Sequence, residues 1–147
     1  MKENEIKSEV EVLNDLTKGI KMGMDAISNV VESVKDNEFK QILLSQYNKY
    51  NDLLNQVDKK LQDFDKIPKD LPTMQKTIGY IGVKLNTSSD NSTSHICEMI
   101  MQGINMGITK GITLLHNCPN ISKESKDILN EFINYQESCI ETLKKYL

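Results

Sequence analysis

The chain has 147 residues, of which 38% are apolar and 27% charged, with a formal net charge of −3. That length suits one compact domain with a core of its own, and the composition excludes a disordered chain. The acidic balance argues against a nucleic-acid partner, and no apolar run approaches the roughly 18 residues of a membrane span.

From Asn4 to Lys35 the sequence predicts one long helix. Ile6, Val10, Leu13, Thr17, Ile20, Met24, Ile27, Val31 and Val34 recur at steps of four and three, so one face must be buried. Asp36-Asn37 supplies a stop and the cap of a second helix, about 38–65, whose stripe is Leu43, Tyr47, Tyr50, Leu54, Val57, Leu61 and Phe64. Pro68 and Pro72 then interrupt the helical pattern. A shorter helix is expected over Met74–Leu85, followed by the cap-rich run Thr87–Ser94. A third long helix is expected over about 92–117. Cys118-Pro119-Asn120 ends it, and Ser122 caps a last helix reaching Leu147.

The two halves resemble each other. Gly19-Ile20-Lys21-Met22-Gly23 matches Gly103-Ile104-Asn105-Met106-Gly107, and the second stripe overlays Ile128, Phe132, Tyr135 and Cys139. A repeated helical hairpin (about 4–65 and 92–147) joined by a long crossover (about 66–91) predicts a single all-α domain. Its architecture is an antiparallel four-helix bundle of the ferritin-like type.

Such bundles hold two metal ions with one Glu on each of two helices and Glu-x-x-His on the other two. The motif is absent: Ser92 precedes His95, Thr113 precedes His116, and the aligned places carry Tyr47-x-x-Tyr50 and Phe132-x-x-Tyr135. A degenerate oxidase would need Asp25, Glu98, Glu131 or Glu137 to converge.

The segments Val12–Leu16, Met22–Asp25, Val34–Lys40 and Met101–Asn105 resemble a bacterial ferritin-like family of unknown function. The resemblance implies a four-helix bundle, commonly a dimer, with no assigned activity. It also implies acidic residues on the first and third long helices, where this chain has Asp25 and Thr109.

Mid-helix glycines cost roughly 1 kcal/mol each relative to Ala, so Gly19, Gly23, Gly103, Gly107 and Gly111 need compensation. Close crossing of the first and third helices would supply it, as would a self-association face or a pocket floor. Tyr47, Tyr50 and Tyr135 fall on buried stripes and need partners, for which Asp25, Thr17, Gln46 or Gln136 are candidates. These phenols either fill the place of a lost metal site or, with Asp25, line a small interior pocket.

Met22, Met24, Met99, Met101 and Met106, with Cys97, could form a soft-metal set or pack the core beside the glycines, and packing is the better account. His95 and Cys97 point apart on a helix, while His116 and Cys118 sit at a helix end. Three cysteines without a Cys-x-x-Cys pair, and no apolar signal core near Met1, suggest reduced thiols in the cytoplasm.

The expectation is therefore a non-catalytic interaction or structural protein without cofactor or metal. It would form a homodimer, with another protein as a further partner, no nucleic acid and no membrane span. A stress- or spore-related role is suggested by lineage rather than by any residue. The alternative is a module holding a small ligand or metal in the bundle interior.

Overall fold

In the computed structural model, residues 2–64 and 91–147 are described. Helix α1 spans Lys2–Val30 and α2 Asn37–Gln62. Helix α3 spans Thr93–Asn117 and α4 Lys123–Leu143. Short 3-10 turns follow α1 (Val31–Ser33) and α4 (Lys144–Tyr146). The first helix thus stops short of the expected Lys35, because Val34 is already extended. Each later helix begins at a side-chain cap. Asp36 accepts from the Phe39 amide at 2.9 Å, Ser92 from that of His95 and Ser122 from that of Ser125 at 3.2 and 3.3 Å. Caps of this kind contribute about 1 kcal/mol each.

Three contacts set the topology. The Glu9 carboxylate, near the start of α1, accepts from Ser122 and Ser125 at the start of α4. At the other pole the Cys97 thiol of α3 donates to the Leu143 carbonyl, and the Phe39 and Tyr146 rings stand 5.0 Å apart. Helices α1 and α4 therefore run in one direction and α2 and α3 in the other. The end of α2 and the start of α3 lie at opposite poles, separated by the length of the bundle. For the 26 residues of α2 that length is about 39 Å. The expected crossover at 66–91 and its helix at Met74–Leu85 lie almost wholly outside the described residues.

Around the bundle the order is α1, α2, α4, α3, and the core runs its full length. The buried arc is two rows wide. Beside the expected rows lie Val12, Leu16 and Val30 on α1, Leu53 on α2, Ile100 and Leu114 on α3, and Leu129 and Ile133 on α4. A helix with neighbours on two sides needs a buried face wider than a single stripe. Val10, Val31, Tyr47, Met101, Ile108 and Tyr135, from the expected rows, are only half-buried at its edges.

Candidate functional site

The middle of the bundle is built around Tyr50. Its ring is buried, and its hydroxyl donates to Gln136 Oε1 on α4 at 2.5 Å. Two glycines make the room. A Cβ at Gly23 would stand 2.9 Å from Tyr50 Cε2, and one at Gly107 would stand 2.7 Å from Gln136 Nε2. At Gly111 a Cβ would meet Ile133 Cγ1 at 2.7 Å. These three glycines are seats for side chains of α2 and α4. Gly19 and Gly103 differ: a Cβ on either would meet nothing within 4 Å among the described residues.

Tyr135 packs edge-on against Tyr50 with ring centroids 6.1 Å apart, and the Lys49 ammonium lies 5.9 Å from the Tyr135 centroid. Lys49 also pairs with Glu131 at 2.9 Å, and that contact, with Gln56 adding a further bond, holds the Glu131 carboxyl below its ordinary range. Burial pushes both phenols above the ordinary tyrosine range, and pushes the neighbouring Cys139 thiol up to about 11. Neither a phenolate nor a thiolate forms here near neutral pH.

The other polar residues of the interior are dispersed. Thr17 donates to its own helix, at the Leu13 carbonyl. Asp25 is only 2% exposed, its Oδ2 accepts no hydrogen bond among the described residues, and burial raises its pKa to about 6 against the opposing pull of Lys21. Gln46 is buried with neither amide atom bonded among the described residues. The register of α2 on α4, fixed by Tyr50 with Gln136 and Lys60 with Glu124, puts Gln46 level with Cys139. Of the four tyrosine and aspartate residues expected to line an interior pocket, Tyr50 and Tyr135 touch. Asp25 is buried on α1, and Tyr47 is half-buried on α2.

A di-metal site does not fit this donor set. Where the bundle would present Glu-x-x-His, α2 offers Tyr47 and Tyr50 and α4 offers Phe132 and Tyr135, with the Tyr50 phenol already bonded to an amide. Among the described residues no three His, Cys, Asp or Glu converge. Cys97 and Cys139 are buried and Cys118 half-buried, all as free thiols. Cys97 lies 3.8 Å from the Met101 sulfur but donates to a backbone carbonyl, which makes it part of the packing.

Sequence reasoning missed the Glu9 cluster. The carboxylate accepts from the Ser122 amide at 2.8 Å and from the Ser122 and Ser125 hydroxyls at 2.6 Å each. Burial raises its pKa, but those bonds and Lys60 outweigh burial and hold the carboxyl below its ordinary value. Beside it, an open groove of about 420 Å³ runs between α2 and α4 past Gln56, Lys59, Asp63 and Asp127. Its lining carries two lysines against four carboxylates; Lys60 pairs with Asp63 and Glu124, and Lys123, outside the lining, pairs with Asp127.

No family model and no curated protein matches this sequence. One solved structure does match: a dodecameric thioferritin, the bacterioferritin-related protein from Bacteroides fragilis. The TM-score is 0.77 at 10% identity, over 96% of this chain and 84% of that one. The expectation of a homodimer is corrected by this comparison, because the structure sharing the fold is a dodecamer and the bundle does not prescribe pairing in twos. No helix among the described residues is long and apolar enough to cross a membrane. The chain thus has the ferritin-like fold, an all-α four-helix bundle.

Proposed function

We propose that this protein is a non-catalytic ferritin-like bundle acting as a structural or interaction component of an assembly of more than two copies. The observation that carries the reading is the Tyr50–Gln136 bond seated over Gly23 and Gly107. It commits the middle of the bundle to packing with side chains that do not suit iron. The dodecameric state of the solved neighbour supports the assembly part.

Elemental analysis of the purified protein, followed by anaerobic Fe(II) and Zn(II) titration with mass measurement by light scattering, tests it. The expected result is no stoichiometric metal and a particle larger than a dimer. Stoichiometric iron with oxidase turnover would overturn it. A second reading, a ligand held inside the bundle, is favoured by the buried and unbonded polar atoms of Asp25 and Gln46. Metal lost on Asp25→Asn in the same titration would establish it.

A further inference from the structure

Asp15, Gly19 and Met22 follow one another at i, i+4 and i+7 on α1, and Lys110, Met106 and Gly103 at i, i−4 and i−7 on α3. Such steps stay on one face of a helix. The Asp15–Lys110 ion pair at 3.8 Å fixes the relative level of these antiparallel helices. Four residues up α1 and four down α3 bring Gly19 level with Met106, and seven bring Met22 level with Gly103. Each methionine therefore stands beside a glycine of the other helix.

This stripe faces outward. Met106 is 66% exposed and Met22 40%. Gly23, Gly107 and Gly111 recover their helix cost by seating side chains, whereas a Cβ at Gly19 or Gly103 would have nothing within 4 Å among the described residues. Beside Gly19 an apolar cleft of about 20 Å³, bordered by Leu16, Gly111 and Leu114, has room for about one methyl-sized group.

We propose that this stripe seats a second copy of the chain, α1 of one copy lying antiparallel along α3 of the other. The Met106 thioether then enters the notch at the partner's Gly19, Met22 enters that at the partner's Gly103, and both contacts repeat by the two-fold relation. The charges agree with that pairing. Lys110 meets the partner's Asp15 and Asp15 the partner's Lys110, so the ion pair of each copy becomes part of an alternating square of four charges. The inference rests on the assembly reading above and names one of its contacts.

The test is native mass spectrometry and light scattering across a micromolar range on the full chain and its variants. Gly19→Leu and Gly103→Leu add side chains where a Cβ meets nothing within 4 Å among the described residues, so helix content is expected to be retained. Both are expected to weaken association about tenfold or more, as is Met106→Ser. Lys110→Asp weakens it too, and the double exchange Asp15→Lys with Lys110→Asp restores it. Ser45→Leu, on the exposed face of α2, leaves the mass unchanged. A wild-type monomer would overturn the assembly reading and this contact together. A wild-type assembly whose mass survives all three stripe substitutions would overturn this contact alone.

Discussion

Replacing Gly23 with alanine sets two effects of known sign against each other. Alanine gains about 1 kcal/mol in a helix interior relative to glycine. Its methyl would lie 2.9 Å from Tyr50 Cε2 and 3.2 Å from Cζ, well inside contact distance. The ring cannot swing away cheaply, because its hydroxyl is fixed to Gln136 at 2.5 Å and Gln136 is itself pressed onto Gly107. Overpacking of this kind costs about 1–3 kcal/mol, so Gly23→Ala is expected to be neutral to about 2 kcal/mol destabilising. In a Tyr50→Leu background the opposing ring atoms are gone, and the same substitution should stabilise by about 1 kcal/mol. The coupling between the two positions is then about 1–3 kcal/mol, read by urea unfolding of all four proteins at one fixed concentration. Equal stabilisation by Gly23→Ala in both backgrounds would refute the argument that this glycine exists to seat Tyr50.

Asp25 has a folded-state pKa of about 6, above its unfolded value, so its contribution is fully present below about pH 4 and is lost as pH rises through 6. Asp25→Asn should match the wild type near pH 4 and exceed it by about 1–2 kcal/mol at pH 7.5, as measured by thermal or urea unfolding. Glu9 has the opposite sign. Its folded pKa is depressed, so its contribution is present above the unfolded carboxylate pKa and is lost as pH falls through the folded one. Glu9→Gln should cost about 1–3 kcal/mol at neutral pH and flatten the acid limb of the stability profile. In a thiol-exchange assay at pH 8, one thiol per chain should react quickly, that of Cys118, with Cys97 and Cys139 following only in denaturant.

The bundle was legible because its signals are local. Steps of three and four residues, the caps at Asp36-Asn37 and Ser122, and the recurrence of Gly-Ile-x-Met-Gly each sit within one or two turns of helix. What depended on register between distant helices was not. Four candidates could have satisfied the Tyr50 phenol, and only the alignment of α2 on α4 selects Gln136 while Thr17 turns to its own backbone. Glu9 left a faint trace, a carboxylate one turn before Leu13 on the buried face, but its serine partners lie more than a hundred residues away. The glycines read as one motif and proved to be two. Gly23, Gly107 and Gly111 seat side chains from other helices, whereas Gly19 and Gly103 have no such neighbour among the described residues. The neighbours that separate these roles are invisible to periodicity.

The shared direction of α1 and α4 has a mechanical consequence. The first turn of α1 and the last turn of α4 lie at opposite poles of the bundle, held there by the Glu9–Ser122 and Cys97–Leu143 contacts. A tensile force applied between those two points acts along the helix axes. It slides α1 and α4 past their neighbours in shear, loading whole interdigitated rows of side chains at once. Peeling the two hairpins apart one contact at a time would instead require handles at a single pole. Stretched end to end in an optical trap, the bundle should therefore resist as one unit and give way in a single abrupt extension.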